Sequence, residues 1–393
     1  GHIGFKGLVF TDALNMKGVA NADKPGEIEI RALLAGNDVL LFPPDPVRAI
    51  ERIRLAVDSD RIARSEIDRK CLKVLRAKEW AGLSHRTPVK TEGLYDDLNT
   101  MQGKLLRRQL YASAITVLND HKELLPFGDL SKIRIASLVI GDTLGNPFQL
   151  GLQRYAEVTT FRCDKALKRD SLVALLRKLE DYDRVIVSIH NTTWRVNKEF
   201  GIPETAMDIV REIAARQPTV FALFANPYRL TRAYGAHYLA SVITAYEETA
   251  ETQDLVAQVI FGGIGANGRL PITASSFFAA GDGRELRPLG RFTYTFPEAL
   301  GIQSRDLKKI DEIVAGGIKA QAYPGCEVLV AVDGEVILNK AYGHTTYEKK
   351  RAVRTDDLYD LASITKVAST TLALMKLVDQ GKLDLDKPIG YYL

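Results

Sequence analysis

Two short stretches carry residue types at spacings that can do chemistry. In Asp360-Leu361-Ala362-Ser363-Ile364-Thr365-Lys366, Ser363 and Lys366 stand three apart, so on a helix they share one face and the amine reaches the hydroxyl. A neutral lysine there can take the serine proton, while the helix amino end and the serine's own N–H favour an oxyanion. Taken alone, Ser-x-x-Lys is also what a helix-capping serine followed by a surface lysine looks like. The second stretch is Gly4-Phe5-Lys6-Gly7-Leu8-Val9-Phe10-Thr11-Asp12-Ala13-Leu14-Asn15-Met16. Its apolar run ends on the carboxylate of Asp12, just before a turn towards a helix. Chemistry in α/β folds sits at the carboxyl ends of buried parallel strands, which makes Asp12 a candidate catalytic group. On position alone it could equally cap the following helix.

The elements that position Asp12 read as one β-α-β unit. Glu27 to Ala35 is expected as a helix closed by Gly36, and Asp38-Val39-Leu40-Leu41-Phe42 as a second buried strand stopped by Pro43-Pro44. Amphipathic helices follow from about Pro46 to Val57 and from Ile62 to Trp80. Two parallel strands do not make a stable sheet, and a (β/α)8 barrel takes about 250 residues. The remaining strands are therefore expected upstream of residue 1. A polar stretch with Pro88 and Gly93 reads as a linker. Strands are then expected at Ile133–Ile140, Val158–Cys163, Arg184–His190, Thr219–Ala225 and Val242–Tyr246, alternating with helices near Ser171–Leu179, Thr205–Ala215 and Gln253–Phe261. That alternation predicts a parallel sheet covered on both faces. Further on, a helix over Ile310–Ala322 precedes two alternating runs, Glu327–Val332 and Glu335–Tyr342, around Asp333-Gly334, a strong hairpin signal.

With 393 residues, 46% hydrophobic and 26% charged, the chain has the composition of a soluble globular protein of two or three domains. The net charge of +4 is spread over 53 basic and 49 acidic side chains, so nothing argues for nucleic acid. Apolar runs are too short to span a membrane. Cys71, Cys163 and Cys326 match no metal or redox spacing and read as free buried thiols. Gly263-Ile264-Gly265-Ala266-Asn267-Gly268 matches G-x-G-x-x-G in letters only, because it follows a helix and leads into Arg-Leu-Pro; it reads as a turn. His190 stands at a strand end, where it could face a ligand or satisfy local groups. Glu247-Glu248 and the charges from Lys165 to Asp170 read as solvated surface. No metal and no organic cofactor is expected.

The Asp12 stretch resembles the nucleophile strand of family 3 glycoside hydrolases, G-F-x-G-[LVI]-[VI]-x-[ST]-D, through Phe5, Gly7, Val9, Thr11 and Asp12. The continuation Asp12-Ala13-Leu14-Asn15-Met16 resembles the β-N-acetylglucosaminidase branch, since an aromatic residue commonly follows the aspartate in the β-glucosidase branch. Where that second branch carries an acidic loop with the general acid, this chain has Asn191, Thr192 and Trp194. Leu8–Thr11 and Val39–Phe42 resemble the last two barrel strands, with Gly36-Asn37-Asp38 opening the final one. Leu124-Leu125-Pro126, Asn226-Pro227 and Gly268-Arg269-Leu270-Pro271 resemble, in order, the α/β-sandwich domain of the same family. Pro324-Gly325, Gly343, Leu361-Ala362-Ser363 and Gly381-Lys382-Leu383-Asp384-Leu385-Asp386-Lys387-Pro388-Ile389 resemble the start of the serine β-lactamase, penicillin-binding and esterase superfamily.

These resemblances imply an α/β chain in five parts: the C-terminal end of a (β/α)8 barrel (1–82), a linker (83–99), a family 3 α/β sandwich with a mainly parallel sheet (100–273), a second linker (274–303), and the first part of an α+β β-lactamase-like domain (304–393). They imply a retaining β-N-acetylhexosaminidase with Asp12 as nucleophile and Met16 touching substrate, acting on a β-linked N-acetylglucosamine-containing glycan of bacterial cell-wall type. The proton donor, a His-Asp pair on an earlier barrel loop, and the Tyr-x-Asn and Lys-Thr-Gly-like motifs of the serine hydrolase are expected outside these residues. Missing parts of the same polypeptide are therefore expected to be needed. The alternatives are a serine hydrolase using Ser363 as acyl nucleophile and Lys366 as its base, and a non-catalytic glycan-binding or scaffold piece. A bacterial envelope or periplasmic location follows from the analogy, with the cytoplasm as the other option.

Overall fold

The computed structural model describes residues 4–20, 26–85, 88–231 and 239–392. Residues 86–87 of the expected linker and 232–238 of the expected sandwich lie outside the described residues. The chain divides into two compact units, 1–97 and 98–393.

In the first unit, α1 (Lys17–Ala20) is followed by α2 (Glu27–Leu34), α3 (Pro46–Asp58) and α4 (Arg64–Trp80), which pack around a small core in which Ile30, Leu33, Ala56 and Ile62 are buried. Asp45 caps α3 by accepting from Arg48 N–H at 3.0 Å, and Pro46 takes the first helical position, where its missing N–H costs nothing. The two expected strands do pair in parallel, but through a single bridge, Phe10 to Val39. Their expected burial is not found. Phe10 is 55% and Phe42 65% exposed, because a ribbon of two strands has no neighbour to cover its faces.

The second unit follows α5 (Leu94–Leu98) and is built on a six-stranded sheet. Its elements are α6 (Met101–Ala114), β1 (Thr116–Asp120), β2 (Ile135–Ile140), α7 (Pro147–Gln153), β3 (Val158–Cys163), α8 (Arg169–Leu179), β4 (Arg184–Ile189), α9 (Glu204–Ala214), β5 (Thr219–Leu223), β6 (Ser241–Thr244) and α10 (Ala250–Ile260). The strand order is β1-β6-β5-β4-β2-β3, parallel throughout except for β1, which pairs antiparallel with β6. The fold class is thus α/β with a mainly parallel sheet. Strands β2 and β5 are buried along their whole length, and β4 in all but its first residue, as central parallel strands covered on both faces must be. One face packs Val185, Val187 and Ile189 against Leu172, Leu176 and Val210, from α8 and α9; the other packs Ile186 and Val220 against Phe148, Val256 and Ile260, from α7 and α10. Because β3 and β4 flank β2 on opposite sides, the strand order reverses between β2 and β4, a topological switch point.

Residues 274–303 are more than a connection. Arg291 donates to the carbonyls of Phe127 and Phe261 at 2.7 Å, and Thr293–Tyr294 (β7) pairs in parallel with the first residues of the second strand of a later hairpin. That hairpin, β8 (Gly325–Val332) and β9 (Glu335–Gly343), turns at Asp333 and Gly334, both at positive φ (51° and 84°), as the Asp-Gly signal predicts. Helix α11 (Ser304–Lys319) lies against β9, where Asp311 accepts from Lys340 and Tyr342 at 2.6 Å. The thiols follow the expected burial only in part, since Cys163 is buried, Cys326 half-buried and Cys71 exposed.

Candidate active sites

The first-unit site is assembled by a carboxylate that is not itself exposed. Asp38 Oδ2 accepts from Val9 N–H at 2.9 Å and from Lys73 Nζ of α4 at 2.6 Å. Burial acts to raise its pKa, but the bonds from Lys73 and Val9 outweigh burial and hold it below the usual range. From that anchor the two extended segments are laced together: Thr11 N–H to Val39 C=O (3.1 Å), Leu41 N–H to Thr11 Oγ1 (2.8 Å) and Leu14 N–H to Leu41 C=O (2.9 Å). Asp12 sits between the laced residues with its side chain exposed, and Oδ1 accepts from Ala13 N–H at 2.7 Å. Helix α1 starts only at Lys17, so Asp12 does not cap it. Met16 is half-exposed, in the turn that leads into α1, with its N–H on Ala13 C=O.

In the second unit, Lys366 Nζ lies 2.8 Å from Ser363 Oγ, the contact that the three-residue spacing predicts. Asp360 Oδ1 accepts from Ala362 N–H at 2.9 Å, Ala362 takes a positive φ of 43°, and the chain enters a helix directly after Ser363. After Ile364 and Thr365 that helix is π-wound over Lys366–Thr371, where the periodicity implies an α-helix, before α12 (Leu372–Asp379). The Thr371 hydroxyl donates to Lys366 C=O at 2.8 Å, five residues back, which fits the wider turn. Both Ser363 and Lys366 are exposed, and so are Leu361, Ile364, Leu372 and Met375.

Sequence reasoning missed a third cluster, at the carboxyl ends of β2, β4 and β6. Glu248 is no solvated surface charge. Its carboxylate accepts from His190 Nδ1 (3.1 Å), Asn191 N–H (3.0 Å), Thr192 N–H (2.7 Å) and Thr192 Oγ1 (2.9 Å). Burial works to raise its pKa, yet these bonds carry it down to about 2. Lys165 is likewise no surface charge: it donates to the carbonyls of Asn191 (2.8 Å) and Gly201 (2.6 Å), and burial lowers its pKa. His190 Nε2 lies 2.8 Å from Ser188 Oγ and 3.2 Å from Asn146 Nδ2. Ser188, His190 and Glu248 thus have the connectivity of a serine triad, but Ser188 and His190 are wholly buried, so no substrate reaches them. Ligand-type atoms of Asp142, His190 and Glu248 come within 4.8 Å of one another. Glu248 already accepts four hydrogen bonds, and we read the cluster as a clamp on the segment after β4. The signal that could have revealed it is that Asn191 and Glu248 both follow the ends of central strands, where an open α/β sheet gathers its polar groups. The G-x-G-x-x-G letters prove to be packing: a Cβ on Gly265 would stand 2.6 Å from Leu286 C=O, and one on Gly268 2.5 Å from the carbonyls of Ala114 and Ile115.

Residues 1–77 match the family model for the glycosyl hydrolase family 3 N-terminal domain, and residues 310–393 match that for Beta-lactamase. The chain resembles in fold a family 3 β-N-acetylglucosaminidase from a Paenibacillus species, with a TM-score of 0.51 and 19% identity over 67% of this chain and 50% of that one. It resembles a β-glucosidase from Listeria innocua about as well, with a TM-score of 0.53 and 17% identity over 70% of this chain and 41% of that one. An N-acetylmuramyl-L-alanine amidase of Bacillus subtilis is 36% identical over 103 residues, 24% of this chain and 23% of the relative. The chain therefore spans half or less of the length of these proteins. The two family matches together show a chain that joins a portion of family 3 glycoside hydrolase type at its start to a β-lactamase-like portion at its end.

Proposed function

We propose that the protein to which this chain belongs is a retaining β-N-acetylhexosaminidase, with Asp12 as its nucleophile. The observation that carries this reading is the exposed Asp12 carboxylate, fixed by the lacing of residues 9–14 to residues 38–41. Likeness in fold does not select the sugar, because a glucosidase fits as well as a glucosaminidase. The choice rests on Asp12-Ala13-Leu14-Asn15-Met16, and Met16 is placed to touch substrate on the same ground. In the first step a bond forms from an Asp12 oxygen to the anomeric carbon while the glycosidic C–O bond breaks, and the leaving oxygen takes a proton from a general acid. Water then cleaves the glycosyl ester and returns a proton to that same acid/base group. By the family resemblance, that group belongs to an earlier barrel loop. In the complete protein, Asp12→Asn abolishes release of nitrophenol from a nitrophenyl N-acetyl-β-glucosaminide. Retention of activity in that variant sinks the proposal.

A second activity is favoured by the 2.8 Å contact between Lys366 and Ser363. Ser363 Oγ attacks a carbonyl carbon as Lys366 takes its proton, giving an acyl-enzyme that water hydrolyses. A glycosidase and an acyl-transfer hydrolase in one polypeptide suit a bacterial cell-wall substrate that holds both sugar and peptide, and hence the envelope. The resemblance to an amidase named for N-acetylmuramyl-L-alanine supports that substrate class. Labelling of the complete protein by a fluorophosphonate or a penicillin, lost in Ser363→Ala, tests it; absence of labelling overturns it.

A further inference from the structure

The residue before Ser363 has an uncommon backbone. Ala362 stands at a positive φ of 43°, a region that the Cβ of an alanine disfavours and that glycine takes freely. Two hydrogen bonds hold it there. Asp360 Oδ1 accepts from Ala362 N–H at 2.9 Å, and an aspartate that bonds the backbone two residues on closes a turn of its own. On the other side Ala362 C=O accepts from Thr365 N–H at 3.1 Å. Asp360, Ala362 and Ser363 are all exposed, so no packed neighbour among the described residues imposes this conformation from outside.

The consequence falls on one N–H. The planar peptide that joins Ala362 to Ser363 carries the carbonyl taken by Thr365 and also the Ser363 N–H, so the direction of that N–H follows the dihedral angles of Ala362. The N–H groups of Ile364, Thr365 and Lys366 bond to the carbonyls of Leu361, Ala362 and Ser363 at 2.9, 3.1 and 3.1 Å, whereas among the described residues nothing accepts from Ser363 N–H. Asp360 takes the neighbouring N–H and leaves this one open beside the Ser363 hydroxyl, which lies 2.8 Å from Lys366 Nζ. An oxyanion formed on a carbonyl that Ser363 attacks would meet it. We propose that Asp360 is a positioning residue of the Ser363 site: by accepting from Ala362 N–H it holds Ala362 at positive φ and so aims the Ser363 N–H at the oxyanion. The inference rests on the reading of Ser363 as an acyl nucleophile. The contact between Ser363 and Lys366 follows from helical spacing and does not depend on Asp360.

The test is the rate at which a fluorophosphonate labels the complete protein, a reaction in which Ser363 Oγ bonds phosphorus, fluoride leaves and the hydroxyl proton passes to Lys366. Asp360→Ala is expected to slow labelling about tenfold or more with an unchanged circular dichroism spectrum. Asp360→Asn keeps an acceptor oxygen without the charge and is expected to label within about twofold of wild type. Adding Ala362→Gly to Asp360→Ala is expected to restore most of the rate, because glycine takes positive φ with no bond to hold it; a role in folding stability alone would not be rescued in this way. If Asp360→Ala fails to fold, Ala362→Val decides, since a β-branched side chain resists positive φ even with Asp360 intact and is expected to slow labelling to a like extent. The proposal is overturned if Asp360→Ala labels at the wild-type rate, if Asp360→Asn is as slow as Asp360→Ala, if Ala362→Gly restores nothing, or if Ala362→Val labels normally. Absence of labelling in the wild type is a different result: it sinks the Ser363 reading and this proposal with it.

Discussion

Replacing Glu248 with Gln tests the clamp at the carboxyl end of the sheet. The fall of the Glu248 pKa from 4.5 to about 2 corresponds to about 3 kcal/mol of preference for the ionised carboxylate in the folded protein. The side chain is 19% exposed, and solvent screening reduces this to about 2 kcal/mol. Glutamine keeps one acceptor oxygen but sets an NH2 against the N–H groups of Asn191 and Thr192, so the loss is expected at about 2–3 kcal/mol. The two tryptophans make the measurement local. Trp80 is in the first unit, and Trp194 lies two residues beyond the clamped Thr192. In a Trp80→Phe background, Trp194 fluorescence in urea therefore reports the clamped segment. The sign with pH is fixed by the depressed pKa: the stabilisation is present above the unfolded value near 4.5 and is lost as pH falls towards 2. Wild type is expected to lose stability across that window and Glu248→Gln to show a flatter profile there. An unchanged urea midpoint at neutral pH, or an identical acid profile in the two proteins, refutes the reasoning.

Asp38→Ala leaves the Val9 N–H and the Lys73 amine without their shared carboxylate and is expected to cost about 3 kcal/mol, seen as faster hydrogen exchange at Thr11 and Leu14. Gly268→Ala drives a methyl group to 2.5 Å from two backbone carbonyls and is expected to lower stability by about 1–3 kcal/mol in a thermal melt. Phe148→Ala removes a wholly buried ring that packs 5.2 Å from Phe224 and is expected to cost about 3–5 kcal/mol, read by denaturant titration. Lys366→Met is expected to abolish fluorophosphonate labelling of Ser363 with an unchanged circular dichroism spectrum, because the lysine is exposed; full labelling would remove Lys366 from the proton transfer.

The sequence by itself determined whatever depends on local periodicity and spacing. The central strands are unbroken apolar runs that only a covered parallel sheet can bury, so β2 to β6 were legible to within a few residues. Asp333-Gly334 specified its hairpin through two residues that accept positive φ. Ser363 and Lys366, three apart, met because helical winding brings such neighbours together, although the π-winding from Lys366 was not foreseeable from spacing. Strand β1 was not legible: Thr116–Asp120 is short, antiparallel and stabilised by pairing with β6, more than a hundred residues away. Tertiary structure alone decided which charges are buried. Glu248 and Lys165 read as solvated surface in the chain and Asp38 only as the residue opening a strand, and each takes its role from partners between 26 and 58 residues distant. Hydrogen-bond saturation depends on which strand ends the sheet brings side by side, and no pattern along the chain encodes that. Arg229 follows the same logic, since two of its guanidinium nitrogens find partners only when the segment after β4 folds back over the turn after β5.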